Sequence, residues 1–302
     1  MRAAAFTEFG PPEVLRVMEV ETPRAGAGQV RVRVKAAGVQ PYDTAIRSGW
    51  DFPGLPPFPR IPGNEFAGIV DEVGEGVTGV APGDEVLGFT RLGCYAEYVV
   101  VPEDQVTPKP EGVPWEVAGG LTAGVQTAHL ALDGMRVGEG DTVLIQGAAG
   151  SVGGMAVQIA RRRGARVIGV AREDNHEYLR SLGATPVAYE DGGVVERVRA
   201  LAPGGVDAAL DGAGGAALDA TLELVKDRDR IVTIVEHAKA PELGIRIVTG
   251  ERSAARLAEY ARLYAAGELR FLLRAAYPLD RAADAHRDME RGHGRGKIVI
   301  TV

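Results

Sequence analysis

A glycine-rich loop is the segment of this chain whose residue types point most directly to chemistry. The loop GAAGSVGG follows the apolar run TVLIQ and precedes the helical pattern MAVQIARRRG. Glycines let a phosphate approach the backbone, and the free N–H groups and dipole at a helix N-terminus favour an anion. A purely structural tight turn is the alternative, but the strand–loop–helix context favours dinucleotide binding. The residues expected to hold the cofactor here are Gly147, Ala149, Gly150, Ser151, Val152 and Gly153.

The end of the next strand, RVIGVAREDN, bears on which dinucleotide binds. Ala171 stands where an NAD-binding acid is expected, and Arg172 follows it. A guanidinium can bind a 2′-phosphate with two parallel hydrogen bonds, and His176 could add a donor. Arg172 could instead pair with Glu173 or Asp174, and Glu173 is also the residue that could support NAD. We expect NADPH.

Composition limits the class of protein. A chain of 302 residues favours two lobes over a single core. The formal charge of −7 argues against binding nucleic acid or a membrane surface as a main role. Cys94 is the single cysteine, so no internal disulfide and no multi-cysteine zinc site can form. The first residues lack a signal-peptide core, and no run is long enough to span a membrane. We expect a cytoplasmic protein.

The elements that position these residues change character along the chain. VRVRVKA (30–36) alternates apolar and basic residues, which predicts a half-buried strand among other short strands in the first 113 residues. After Pro114 the pattern alternates strands with helices, which predicts a doubly wound parallel sheet. Strands are predicted at 142–146, 166–171, 186–189, 206–211 and 230–235, and helices at 152–163, 175–182, 193–201 and 217–224.

The chain then returns to mixed structure and ends in the strand KIVITV. We therefore predict a β-rich substrate domain formed by 1–113 and 250–302, interrupted by a nucleotide-binding domain at 114–249. A cleft between two such domains is a preferred place for a ligand.

Motifs through nearly the whole chain carry a specific family resemblance. They are AAGVQPYDTAIRSG, PRIPGNEFAGIVDEVGEGV, GDEVLGF, YAEYVVVPED, GDTVLIQGAAGSVGGMAVQIAR and GKIVI. With them the chain resembles the zinc-free members of the medium-chain dehydrogenase/reductase superfamily, and most closely the NADPH:quinone oxidoreductases. The resemblance implies an α/β fold in which a GroES-like barrel domain carries an inserted Rossmann-type domain, assembled as a homodimer.

The resemblance also gives two amides a meaning. Zinc-dependent relatives carry a Cys at the position of Gln40 and a His at the position of Asn64. Zinc prefers thiolate, imidazole or carboxylate ligands, and amides replace them poorly. Glu65 remains, but one carboxylate does not make a site. We expect no catalytic zinc and no structural zinc.

Further cofactor contacts follow from the resemblance alone. Tyr189 is placed near the 2′-phosphate, and His176 stands where relatives commonly have a Lys. Gly212, in LDGAGG, matches the turn that approaches the nicotinamide. The segment IVTIVEHA departs from the family, because relatives usually have a glycine there. Either Val235 narrows the nicotinamide pocket or the local alignment is displaced. Ala45 replaces a common Tyr.

The expected reaction is hydride transfer from NADPH to a small quinone-type acceptor. Reduction of a quinone places charge on an oxygen that a hydrogen-bond donor or water can stabilise, so neither a metal nor a strong acid is required. The polar side chains offered for this site are Gln40, Tyr42, Asn64 and Thr122. For Tyr42 and Thr122 an ordinary hydrogen bond inside the barrel is an equal alternative. Asp43 is expected to orient its neighbours.

Two other functions remain open at this stage. An NADPH-dependent reductase of enones, alkenals or enoyl thioesters must protonate carbon and is expected to carry a Tyr acid. Trp50 stands where related enoyl reductases often have that Tyr, which counts mildly against this branch. A non-enzymatic, NADPH-binding structural protein is the second alternative. The scattered histidines, which we expect to serve as ordinary core or surface residues, are His129, His237, His286 and His293.

Overall fold

A computed structural model of the chain describes residues 1–292 and 294–302, so the expectation for His293 lies outside the described residues. The chain forms two compact units, one of Met1–Ala123 with Arg252–Val302 and one of Gly124–Glu251. The sequence placed the start of the inserted domain earlier, at 114. The long helix that begins at Trp115 runs through the boundary, so no turn marks it in the sequence.

The elements follow one another along both units. The strands are β1 (Arg2–Ala5), β2 (Arg16–Glu19), β3 (Gln29–Val39), β4 (Glu65–Val73), β5 (Glu85–Phe89), β6 (Tyr98–Pro102), β7 (Val106–Pro108), β8 (Thr142–Gln146), β9 (Arg166–Val170), β10 (Thr185–Val187), β11 (Ala208–Asp211), β12 (Ile231–Thr233), β13 (Arg246–Ile247), β14 (Leu273–Pro278) and β15 (Lys297–Thr301). The α-helices are α1 (Pro41–Ser48), α2 (Trp115–Gly134), α3 (Ser151–Arg162), α4 (His176–Ser181), α5 (Val194–Leu201), α6 (Ala216–Leu224), α7 (Ala240–Leu243), α8 (Ala254–Ala265) and α9 (Ala282–Glu290).

The unit of residues 124–251 contains a six-stranded parallel sheet. Its strand order is β10-β9-β8-β11-β12-β13, so the order reverses between β8 and β11. Valine, isoleucine and leucine fill these strands, as expected for a sheet covered on both faces by helices. The predicted doubly wound sheet is confirmed, and its sixth strand, β13, was missed because it is only two residues long.

The other unit is built around β3. The first half of this strand pairs with β6 and the second half with β15, while β4 lies along its other edge. Val30, Val32 and Val34 are buried, which confirms the alternation seen in the sequence. From Ala36 onward every residue of the strand is buried, because α2 packs against it and Gly119 leaves no room for a Cβ beside the Ala36 backbone.

Local contacts set the limits of two strands. β6 begins at Tyr98, because Tyr95 and Ala96 make isolated backbone contacts with β1 instead. The strand predicted over 230–235 ends at Thr233, where the Thr hydroxyl accepts N–H groups from the two residues after Ile234 and turns the chain.

A buried imidazole lies in the interior of the β-rich unit. His286, on α9, packs the edge of its ring on Tyr95, with ring centroids 5.8 Å apart. Neither ring nitrogen has a hydrogen-bond partner among the described residues. Burial, reinforced by the nearby charge of Arg47, lowers the pKa of His286 to about 3. The ring is therefore neutral in the folded protein at ordinary pH.

This burial makes stability depend on pH. The pKa of histidine in the unfolded chain is about 6.5, so the unfolded state binds a proton first as pH falls. Folded stability is intact above that value and is lost progressively toward pH 3. Between pH 8 and pH 5, we expect the wild-type protein to lose about 2 kcal/mol more free energy of unfolding than His286→Phe. Urea unfolding measures this difference, and the exposed His237→Gln is the control. If the free energy of unfolding falls equally with pH in the wild type and in His286→Phe, His286 is not the source of the pH dependence.

Candidate active site

The residues expected to bind the cofactor gather at one edge of the parallel sheet. The loops that carry them leave the carboxyl ends of five strands, and in such sheets ligands bind at this edge, where the strand order reverses. These residues are Gly147 to Gly153 after β8, Arg172 and His176 after β9, Tyr189 after β10, Gly212 after β11, and Val235 after β12. The topology therefore brings the whole predicted set to one side of one unit.

The glycine-rich loop is shaped by backbone contacts that leave no room for side chains. Gly147 has a φ of +69°, and a Cβ there would lie 2.9 Å from the carbonyl oxygen of Gly212. A Cβ on Gly153 would collide with the carbonyl oxygen of Gly147. Gly150 is the N-cap of α3, and no side chain caps it. The first N–H groups of this helix are therefore available to an anion such as a pyrophosphate.

The turn after β11 is fixed by a buried acid, Asp211, which no sequence motif marks. Asp211 is fully buried, and its carboxylate accepts hydrogen bonds from the backbone N–H groups of Ala213 and Gly214 at 3.1 and 2.8 Å. The hydroxyl of Thr233, on the next strand, donates to the same carboxylate at 2.8 Å. Asp211 and Thr233 thus hold Gly212 against the glycine-rich loop.

The three residues expected to bind a 2′-phosphate differ in exposure and in their present contacts. Arg172 is exposed, but its Nε lies 3.6 Å from the Glu190 carboxylate and 4.0 Å from that of Asp174. The imidazole Nε2 of His176 is buried, with no partner among the described residues. Tyr189 has 40% of its surface exposed. The edge therefore offers cationic and hydroxyl donors together with a competing carboxylate, Glu190.

Val235 is placed differently from a strand residue. It lies beyond the end of β12 and is 50% exposed. Its backbone N–H donates to the Thr233 hydroxyl at 3.2 Å. The side chain is thus presented at the same sheet edge as Gly212.

In the β-rich unit, Gln40 is the predicted catalytic residue whose side chain contacts the buried Glu65. This carboxylate is fully buried; one oxygen accepts the side-chain N–H of Gln40, and the other accepts the backbone N–H of Ala123 at 2.6 Å. The ammonium of Lys297 lies 2.5 Å from Glu65 and is also buried. A Cβ on Gly38 would collide with the Glu65 side chain. Glu65 therefore joins the ends of β3 and β15 to the middle of α2.

Asp43 fixes the turn that carries Gln40. Its carboxylate accepts the backbone N–H groups of Gln40 and Gly63 at 2.8 and 3.0 Å and the hydroxyl of Tyr95 at 3.0 Å. Complete burial raises the pKa of Asp43 to about 6, although the Gln40 N–H, Lys297 and the other donors act in the opposite direction. These three hydrogen bonds confirm that Asp43 orients its neighbours.

Asn64 lies directly before β4 and is 6% exposed. Its backbone oxygen accepts the N–H of Thr90 at 3.2 Å and the guanidinium of Arg252 at 2.9 Å. The same Arg252 nitrogen lies 3.5 Å from the side-chain oxygen of Asn64. Arg252 could not be predicted as a site residue from the sequence, since a single arginine far along the chain carries no motif.

Tyr42 and Thr122 differ in exposure and in whether their hydroxyls are already bonded. Tyr42 is half-buried and packs edge-on against Trp50, with ring centroids 5.5 Å apart. Burial, aided by Asp43, raises the pKa of Tyr42, against the opposing charges of nearby arginines. Thr122 is fully buried and donates to the backbone oxygen of Gly88 at 3.3 Å. The alternative of an ordinary internal hydrogen bond therefore applies to Thr122.

Comparisons with known proteins identify the family. Residues 26–111 match the family model of the alcohol dehydrogenase GroES-like domain, and residues 182–300 match that of the zinc-binding dehydrogenase domain. The quinone oxidoreductase of Mus musculus is 31% identical, with 99% of this chain and 97% of that protein covered. The chain belongs to the quinone oxidoreductase family of the medium-chain dehydrogenase/reductase superfamily. It is an oxidoreductase of this superfamily, whose members use nicotinamide cofactors.

Two solved structures are similar to this chain over its whole length. A quinone oxidoreductase from Coxiella burnetii is 31% identical, with a TM-score of 0.91 over 100% of this chain and 99% of that chain. A structure described as an NAD-dependent alcohol dehydrogenase is 32% identical, with a TM-score of 0.89 over 100% of both chains. The predicted GroES-like and Rossmann-type domains are therefore confirmed.

Amides and a carboxylate that is already paired are poor ligands for zinc. Gln40 and Asn64 present amides, and both oxygens of Glu65 are occupied by donors and Lys297. Burial, with the nearby acids, raises the pKa of the Cys94 thiol well above its usual value, which disfavours a thiolate. Within residues 1–292 and 294–302, no cluster of three or more His, Cys, Asp or Glu side chains could hold a metal ion.

No helix in the described part of the chain has the length and apolarity needed to cross a membrane. The helix with the greatest length, α2, passes through both compact units.

The buried ion pair makes a stability prediction. Lys297→Met leaves the Glu65 carboxylate buried without a cation, so we expect the free energy of unfolding to fall by about 3 kcal/mol or more. The double variant Glu65→Gln/Lys297→Met removes the charge while keeping an amide oxygen, and should lose less than the single variant. Lys239→Met, in the exposed pair with Glu236, is the control and should change little. Denaturant unfolding measures these free energies. If Lys297→Met is as stable as the wild type, the buried ion pair does not stabilise the fold as described.

Proposed function

We propose that this protein transfers hydride from NADPH to a small quinone-type acceptor without a metal. The observation that carries the proposal is the side-chain set around Glu65. Amides occupy both family zinc-ligand positions, and the remaining carboxylate is engaged by Lys297. Such a set offers hydrogen bonds to an acceptor oxygen but no Lewis acid. A quinone suits it, because the electron-poor ring needs positioning more than polarisation by a metal.

Gln40, Tyr42 and Asn64 are assigned to the acceptor in this proposal. Gln40 is held by Glu65 and Asn64 is held beside Arg252, so both amides are oriented before an acceptor binds. The half-buried Tyr42 supplies a hydroxyl and an aromatic ring beside Trp50. Thr122 is the weakest member, because its hydroxyl is bonded to Gly88.

The alternative substrates are enones, alkenals and enoyl thioesters. Their reduction needs a proton delivered to carbon, for which a tyrosine acid is expected. The pKa values of both tyrosines near Asp43 are raised: that of Tyr42 mainly by burial, and that of the fully buried Tyr95 well above its usual value for the same reason. A higher pKa makes a weaker acid, which supports the quinone over the enone.

NADPH is proposed over NADH because of the donors at the sheet edge. Arg172, His176 and Tyr189 are suited to a 2′-phosphate, and the buried Nε2 of His176 has no partner among the described residues. Glu190 supports NADH, because a carboxylate beside Arg172 would repel a phosphate and could accept a ribose hydroxyl.

We also propose that the protein forms a homodimer, as the family resemblance implies. Analytical ultracentrifugation tests this oligomeric state.

Cofactor choice can be tested with two variants at this edge. Arg172→Ala removes the guanidinium, so we expect the Kd of NADPH to rise about 10-fold or more while that of NADH changes little. Glu190→Gln removes the competing charge and should tighten NADPH binding. Titration of cofactor fluorescence measures both, with the surface variant Arg199→Ala as control. If Glu190→Gln weakens NADH binding and Arg172→Ala leaves NADPH unchanged, the protein is an NADH enzyme.

The acceptor is tested by following NADPH oxidation against a benzoquinone, a naphthoquinone, an alkenal and a crotonyl thioester. We expect turnover to be fastest with the quinones. Turnover confined to the alkenal or the thioester would overturn the quinone assignment. Tight NADPH binding with no turnover of any of the four would favour a non-enzymatic role.

A further inference from the structure

Arg252 is a partly buried cation at the Asn64 position. Its guanidinium is held by the backbone oxygen of Asn64 at 2.9 Å and lies 3.5 Å from the side-chain oxygen of that residue. Across residues 1–292 and 294–302, no carboxylate forms an ion pair with it. Other partly buried arginines of the chain differ in this respect: Arg31 pairs with Asp71 at 2.5 Å and Arg230 with Asp141 at 2.6 Å.

The charge of Arg252 acts on the groups of the candidate site. It lowers the pKa of Tyr42 and that of Cys94, in each case against the larger effect of burial. Glu65, the residue that follows Asn64, is already paired with Lys297. A partly buried cation that lacks a counter-ion is costly, and its cost is recovered when an anion binds.

We propose that Arg252 is a catalytic residue that stabilises the negative oxygen formed on the acceptor. This inference rests on the proposed function. The acceptor gains a hydride, with its two electrons, from the reduced nicotinamide, which is oxidised. One carbonyl oxygen of the acceptor becomes a phenolate-like anion, and a proton from water then completes the hydroquinone. Between hydride transfer and protonation, the guanidinium binds that anion, and the Tyr42 hydroxyl donates a second hydrogen bond to it.

The geometry supports an oxyanion role because the cation is fixed in advance. The carbonyl of Asn64 holds one guanidinium nitrogen, and that carbonyl is itself held by the N–H of Thr90 at 3.2 Å at the start of the sheet. Donors that are oriented before the charge develops stabilise a transition state most effectively. The pyrophosphate of the cofactor is the other anion that this guanidinium could bind. Phenol ionisation and NADPH affinity, measured on the same variants, distinguish an acceptor oxyanion from the pyrophosphate.

The test uses Arg252→Gln, the charge-keeping Arg252→Lys, and the control Arg91→Gln. Arg91 also lowers the pKa of Tyr42, but its guanidinium is anchored to the backbone oxygen of Gly54. The probe is 4-nitrophenol, whose visible absorbance reports ionisation without turnover. We expect wild-type protein to lower the pKa of the bound phenol by about one unit. Arg252→Gln should lose this shift, Arg252→Lys should keep part of it, and Arg91→Gln should keep all of it.

Turnover gives the second measurement. Arg252→Gln should lower kcat/KM for a naphthoquinone about 100-fold, with the Kd of NADPH and the melting temperature unchanged. Arg252→Lys should recover part of the activity.

Three results would overturn the inference: no saturable binding of nitrophenol, an equal phenol pKa in the wild type and Arg252→Gln, or a large rise in the Kd of NADPH with phenol ionisation unchanged. If the phenol shift depends on Arg252 but wild-type protein reduces no quinone, the proposed function fails while the anion site stands.

Discussion

The buried carboxylate of Glu65 is the group on which the β-rich unit depends. Burying a charge is costly unless it is paired and hydrogen-bonded. Here the ammonium of Lys297, the amide of Gln40 and the backbone N–H of Ala123 all converge on it. Because these partners come from the last strand, the start of α1 and the middle of α2, neutralising one charge also fixes three distant segments. The orientation of the Gln40 amide, and with it the chemistry of the site, follows from this arrangement.

The parallel sheet imposes the second constraint. Once the strand order reverses between β8 and β11, the loops that leave the carboxyl ends of the strands must share one edge. Close backbone contacts there require Gly147 and Gly153, and the Asp211 carboxylate holds the turn next to them. Among the residues that the structure describes, neither the sheet edge nor the Glu65 cluster groups three or more His, Cys, Asp or Glu side chains that could hold a metal ion. The chemistry proposed for this chain therefore relies on position, hydrogen bonds and the charge of Arg252.

Local patterns predicted much of this architecture. The strand–loop–helix around GAAGSVGG and the alternation of VRVRVKA are short-range signals, and the structure confirms both. The residues that complete the site were not predictable in the same way. Lys297 is 232 positions from Glu65, and Arg252 is 188 positions from Asn64, so only the tertiary fold brings each pair together. The exposed Val235 was misplaced in a strand because the Thr233 hydroxyl, which ends β12, leaves no pattern in hydrophobicity.

The most direct test of the central claim is a single turnover without metal. The full-length protein is dialysed against a chelator, its zinc content is checked by mass spectrometry, and it is loaded with NADPH carrying deuterium at the transferred position. It is then mixed rapidly with a naphthoquinone while NADPH absorbance is followed. The account predicts oxidation with a primary isotope effect and a rate constant that added zinc does not change. Oxidation that appears only after zinc is restored would contradict it.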